Sequence, residues 1–350
     1  MDPSGIFATS YRADRRLVRT RWQALSLILF IAVLLAAPYL VGPRIVAILN
    51  IMYISAVVAV GLQICTGYAG QINLGQAAFM GVGAYTAAIL AEKTGLTFLL
   101  TIPIAGFAAA VFGFLFGLTA ARIKGFYLAL TTIAAQFIFH FAVLNLPSSW
   151  LGGSNGVTVP PATLFGLRIV SEGAQYYLML FVAAIMVAGA FGIVRSRFGR
   201  AFVAVRDDDV AAGIMGINVA ATKANAFLIG AFYAGVGGGL WAYLIRFVGV
   251  DQFTLFNSVF FIAMIIVGGM GSVVGALIGV FVIRVIQEII ATVGPNIADS
   301  VTFLGGDIVF AGMNVILGGV IALFMILEPK GLMHRWTILK SSYRIWPFPY

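Results

Sequence analysis

Gly152-Gly153-Ser154-Asn155-Gly156 reproduces the GxSxG spacing of a nucleophile elbow, where a serine hydroxyl attacks an acyl carbon. That chemistry needs a strand-to-helix turn and a histidine base within reach. Neither of the two histidines fits, since His140 falls inside an apolar run and His334 lies near the opposite end of the chain. Trp150 precedes the motif and Pro160-Pro161 follow it, so the segment reads as an external loop and a catalytic serine is rejected. GxGxxG and HExxH are absent and the dipeptide Gly-Lys never occurs. Dinucleotide binding, metalloprotease chemistry and a Walker A phosphate loop are thereby excluded from this chain. Cys65 is the single cysteine, which leaves no disulfide framework and no cysteine-based metal cluster. No catalytic residue, metal or cofactor is expected in this chain, so any energy source must lie in a partner or an ion gradient.

The remaining candidates are polar groups set in apolar surroundings. In Gly67-Tyr68-Ala69-Gly70-Gln71-Ile72-Asn73-Leu74-Gly75-Gln76, three glycines interrupt a continuous helix and three amides accompany them. Unwound backbone at membrane depth occurs only inside protein or beside a water-filled cavity, and transporters build solute paths this way. The blander alternative is an interfacial turn whose amides satisfy loose backbone groups. Further on, Thr132 and Gln136 stand four apart on one helical face, with Tyr127, Thr131 and His140 nearby. Such a stripe should face the bundle interior, although hydroxyls also bond back to their own helix. The path candidates are therefore Gln71, Asn73, Gln76, Thr131, Thr132 and Gln136. Arg284 and Glu288 lie one turn apart, a spacing that permits an ion pair of structural or functional use.

These groups must be positioned by membrane helices. Of 350 residues, 61% are apolar and 9% charged, against about a quarter charged in soluble proteins. Soluble domains and disorder are both excluded. A bilayer core needs about 20 apolar residues per helix. Candidate spans run over 22–41, 45–65, 73–91, 98–120, 126–146, 176–194, 223–247, 253–269, 272–293 and 308–327. The third and eighth are the weakest, and either could be a broken or re-entrant element. The fold expected is an all-α polytopic membrane bundle of about ten helices with both termini inside. On that topology sixteen of the twenty-one Lys and Arg residues fall on the inner side. The net charge of +9 is then a matter of topology, and nucleic acid is not expected as a partner. The chain divides into a basic cytoplasmic segment 1–21, a transmembrane domain 22–328 with an external loop 147–175, and a cytoplasmic tail 329–350.

Small residues one turn apart let helices approach closely in lipid. Gly271, Gly275 and Gly279 form one such seam, and Ala231, Gly235 and Gly239 another. The run Gly235-Val236-Gly237-Gly238-Gly239 could be a hinge, but close packing is the better reading. The one substantial cytoplasmic loop, 195–222, contains Asp207-Asp208-Asp209 followed by Val210-Ala211-Ala212-Gly213-Ile214-Met215 and Gly216. It reads as a short helix over 207–215, capped by carboxylates and terminated by Gly216. Val210, Ile214 and Met215 give it a small apolar face. Three aspartates disfavour the negative inner leaflet, so docking into another protein's groove is expected.

The segment from Phe198-Gly199-Arg200-Ala201-Phe202 to Asn218 closely resembles the coupling-loop signature of LivM-type permeases of branched-chain amino acid ABC importers. Gly67 to Gly70, Leu74 to Phe79, Gly83 to Ala87, Phe126 to Thr132, Gly152 to Gly156 and Gly268 to Gly275 add matches in the family's order. Two departures fall on path candidates: Gln76 replaces a frequent histidine, and Gln71 a small or apolar residue. The resemblance implies a multi-pass permease of the bacterial inner membrane, surrounded by lipid and paired with a LivH-type permease. Two cytoplasmic ABC ATPases and a periplasmic solute-binding protein would complete it, with ATP used by the ATPases. Residues Gly199, Arg200, Arg206, Asp207, Asp208, Asp209, Ala211, Ala212, Ile214, Met215 and Gly216 would couple to the ATPases. Gly152, Gly153, Ser154, Asn155 and Gly156 would face the binding protein. The solute would be a branched-chain or related hydrophobic amino acid. Urea and short amides use similar permeases, and an ion-coupled secondary transporter, with Glu288 as its only obvious carboxylate, is the alternative of a different class.

Overall fold

The computed structural model describes residues 21–345 except 121, 124, 165–166, 301–314, 316–317 and 320. It is built of helices: α1 (Arg21–Leu40), α2 (Pro43–Leu62), α3 (Gln76–Thr94), α4 (Phe98–Ala120) and α5 (Phe126–Asn145). After a short turn α6 (Ser148–Leu151) come three small strands, β1 (Val157–Thr158), β2 (Ala162–Leu164) and β3 (Leu167–Ile169). Next are α7 (Glu172–Arg195), α8 (Arg197–Asp207), α9 (Asp209–Ile214), α10 (Val219–Ile245) and β4 (Phe247–Val248). The chain then forms α11 (Leu255–Gly268), α12 (Val273–Ser300) and α13 (Leu332–Ile345).

Among the described residues, eight helical segments are long and apolar enough to cross a membrane. They correspond to the first, second and fourth to ninth expected spans. The third expected span is α3, which starts at Gln76, because 69–75 is not helical. Half of the tenth, 308–327, lies outside the described residues, and the described ones, 315, 318–319 and 321–327, are helical. Both spans expected to be irregular are bounded by breaks. A π turn over Gln63–Tyr68 ends α2 and leads into the unwound stretch, and Gly269–Ser272 separates α11 from α12.

The buried centre forms where α10 meets α2, α3 and α4. Lipid offers helices no hydrophobic reason to associate, so intimate backbone approach has to supply van der Waals contact. The glycines of α10 do this. A Cβ added at Gly238 would lie 1.8 Å from the Met80 carbonyl oxygen of α3, and one at Gly235 would lie 2.4 Å from Ala109 Cβ of α4. The glycine run is thus a packing surface within one uninterrupted helix, as the small-residue spacing predicts. In the second seam Gly279 abuts the Met264 carbonyl of α11, but Gly271 lies in the turn before α12 rather than on the helix.

Helix α1 sits at the margin, with only 6% of its apolar window buried. It is held through α7, where Tyr176 and Tyr177 hydroxyls donate to the carbonyls of Leu34 and Leu35. At the end of the bundle reached by the C-terminus of α10, β1 pairs antiparallel with β4, matching Val157 to Val248. Strands β2 and β3 form a separate two-stranded hairpin.

Candidate functional site

The path candidates converge in part. Asn73 and Gln76 are fully buried, and the Asn73 Nδ2 donates to Gln76 Oε1 at 2.8 Å. Asn73 Oδ1 accepts from the Gly75 amide, and Gln76 Nε2 donates to the carbonyls of Val58 in α2 and Gly230 in α10. Thr132 of α5 accepts from the Leu74 amide at 3.0 Å and Ser258 of α11 accepts from the Ala77 amide at 2.9 Å. Four helices therefore lend polar groups to the unwound segment and the first turn of α3, where Thr132 and Ser258 satisfy two backbone amides that lack an intrahelical partner. Gln136 is buried beside this network and donates to the Phe253 carbonyl just before α11, while its Oε1 has no partner.

Two candidates stand apart. Gln71 is buried but folds back onto the Ala69 carbonyl, and half-buried Thr131 bonds back to Tyr127 within α5. Their local bonding is the outcome anticipated for hydroxyls and amides that only satisfy their own backbone.

Sequence reasoning missed Gln63. It is fully buried, and its Nε2 donates to the carbonyls of Gly269 at 3.1 Å and Ser272 at 3.0 Å. It thereby ties the π turn after α2 to the break between α11 and α12. A lone amide in an otherwise apolar run was the available signal, since intramembrane polar groups mark function or interhelical bonding.

The segment 195–222 carries two helices, not one. Helix α8 was not anticipated, although Ser196 caps it by accepting from the Phe198 amide and its Phe202 and Val205 are buried one turn apart. Asp207 belongs to α8, so the short helix α9 runs from Asp209 rather than Asp207 and ends at Ile214. Asp208 is its N-cap, accepting from the amides of Val210 and Ala211 at 2.9 and 3.0 Å. At the other end Gly216 adopts φ +85°, and the amides of Gly216 and Ile217 return to the carbonyls of Gly213 and Ala212. This is a glycine-terminated Schellman motif. Asp209 pairs with Lys223 of α10 at 3.1 Å, where the lysine side chain is only 4% exposed. The helix is thus rigidly mounted, yet Val210, Ile214 and Met215 are 65%, 81% and 82% exposed. Ala212 faces inward, and a Cβ at Gly199 would collide with the Val194 carbonyl, so Gly199 permits the tight turn from α7 into α8. Arg200 and Ala211 are exposed on these helices.

Arg206, at the end of α8, donates from Nη1 to the Gly67 carbonyl of the π turn at 3.1 Å. Its Nε and Nη2 grip Asp207 at 3.0 and 2.9 Å. At the opposite end of the bundle, Gly153, Ser154 and Asn155 form a 3-10 turn with Ser154 and Asn155 exposed and Gly152 and Gly156 flanking it. The turn follows a helix and leads into a strand, the reverse of a nucleophile elbow.

The ion pair expected between Arg284 and Glu288 does not form. Arg284 donates to Ser55 Oγ of α2 at 2.6 and 3.0 Å and to Gln287, while Glu288 accepts from Arg44 at 2.5 Å. Each finds a partner on α2 instead, Ser55 for Arg284 and Arg44 for Glu288, so the two charges are bound across the helix interface rather than to each other.

Residues 44–327 match the family described as "Branched-chain amino acid transport system / permease component". The high-affinity branched-chain amino acid transport system permease protein LivM of Escherichia coli K12 is 32% identical over 335 residues, covering 89% of this chain and 75% of that protein. LivM of Salmonella typhimurium is 31% identical with the same coverage. The probable branched-chain amino acid transport permease LivH of Methanocaldococcus jannaschii is 26% identical over 243 residues, 66% of this chain and 75% of its own. No solved structure matches the chain. With its many apolar helices and a match over most of its length, the chain belongs to the permease-component family of branched-chain amino acid transport systems and is a multi-pass protein of the bacterial inner membrane.

Proposed function

We propose that this chain is one of two permease subunits in an ATP-driven importer of branched-chain or related hydrophobic amino acids. A LivH-type permease is the second subunit, since one such protein is itself similar to this chain. Two cytoplasmic ATPases supply the energy and hydrolyse the ATP, and a periplasmic binding protein delivers the solute to the loop 147–175.

The observation that carries the reading is the exposed apolar face of α9 on a helix capped at both ends and clamped to α10. A face of three large apolar side chains, held rigid and offered outward, is what a groove in a soluble partner requires. Rigidity matters because a frayed helix would absorb a push rather than transmit it. Replacing Ile214 or Met215 with Asp is expected to leave membrane insertion intact while abolishing stimulation of the partner ATPases by solute-loaded binding protein. Undiminished stimulation in both variants would overturn the docking role.

A further inference from the structure

We infer that Arg206 is a positioning residue that transmits movement of α9 to both helix breaks, not a contact to the ATPase. The inference rests on the reading of α9 as the docking helix and concerns what lies behind it.

Three observations meet at this side chain. First, its guanidinium is divided: one edge holds Asp207 through Nε and Nη2, and the remaining Nη1 reaches the Gly67 carbonyl. Asp207 is followed directly by Asp208, the cap of α9, so the arginine is fixed to the start of the docking helix. Second, its stem lies on the unwound segment. Gly70 has φ +67°, and a Cβ there would sit 2.7 Å from Arg206 Cγ. Third, the other break is within reach, since a Cβ on Gly271 would lie 3.2 Å from Nη1 and one on Gly67 2.9 Å from the Gly271 nitrogen. The Gln63 amide also binds the two breaks together, through the carbonyls of Gly269 and Ser272.

Unwound segments are where helix pairs can change their mutual angle at least cost, because their backbone is not locked by i to i−4 bonds. A fork bonded to Asp207 and to one break, and packed close to Gly271 of the other, gives the push a defined point of delivery. Beyond Gly67 the same segment carries Asn73 and leads into Gln76 at the start of α3, so movement there reaches the buried amide network. Lysine substitutes poorly, because its ammonium is a compact point charge without the planar fork that binds Asp207 through two nitrogens and Gly67 through a third.

The test uses the assembled importer in proteoliposomes, with leucine as the solute. Ile72, 41% exposed in the unwound segment, is replaced by Cys as an alkylation reporter, Cys65 being buried. With Arg206 present, the alkylation rate is expected to change on ATP binding. Arg206→Lys and Arg206→Ala should both remove that nucleotide dependence and lower leucine uptake per ATP hydrolysed about tenfold, the order of one lost charge-assisted hydrogen bond. Retained nucleotide dependence with normal uptake per ATP in Arg206→Lys would overturn the inference. Ile214→Asp, run beside it, separates the two readings. If Ile214→Asp leaves ATPase stimulation intact, the docking role fails. If it abolishes stimulation while Arg206→Lys transports normally, the transmission role alone fails.

Discussion

Glu288 and Arg284 show how far residue type and spacing go toward assigning a role. Both are charges within an apolar span, and their separation of one turn suits a local pair. In the fold Glu288 is held by Arg44, whose side chain is 65% exposed, and also Thr292 shares that arginine. A carboxylate already held by an arginine is poorly suited to ion coupling, which needs a group free to exchange its cation. Glu288→Gln is therefore expected to change solute uptake by less than about twofold, in keeping with the small worth of an exposed pair. Uptake abolished by that change, and surviving without any ATPase, would favour an ion-coupled carrier. The amides give the complementary lesson. Asn73, Gln76 and Gln136 were legible as candidates from their surroundings, but Gln63 was passed over because nothing nearby in sequence hints at its partners, both more than two hundred residues away.

At the scale of elements, apolar run length located most helices to within a few residues, since span length is set by bilayer thickness. The fourth expected span coincides with α4, and the short helix α9 carries the carboxylate cap and glycine stop expected of it. The failures were amphipathic. Helix α8 has too much charge for a hydropathy scan, and its identity rests on the buried side of Phe202 and Val205, which only packing reveals. Glycine seams were legible in kind but not in address, because the sequence does not say which helix each glycine approaches. Gly238 tests this. Its replacement by Ala places a methyl against the Met80 carbonyl, and overpacking of this sort costs about 1–3 kcal/mol. Thermal unfolding of the purified protein in detergent should show a lower midpoint for Gly238→Ala, while Gly192→Ala, with open space around it, should not.

For the whole molecule the decisive arrangement is axial. Helices α8 and α9 and both breaks occupy one end of the bundle, and the β1–β4 pair with the Gly152 to Gly156 turn occupies the other, joined by the 27 residues of α10. The distribution of basic residues predicts that the first end is cytoplasmic. Introducing cysteine at Asn155 should give a site labelled by an impermeant maleimide in intact cells. Introducing it at Met215 should give one labelled only after permeabilisation, and the reverse pattern would invert the topology. By itself the sequence determined that this chain is a membrane bundle, where its helices run, and that one short capped helix projects an apolar face. Those properties depend on local composition and on caps a few residues apart. Only the tertiary structure decided that Arg206 meets Gly67, that Gln63 joins the two breaks, and that Arg284 and Glu288 part company. These contacts span 139, 206 and 244 residues of chain, and their geometry exists only after the helices have packed.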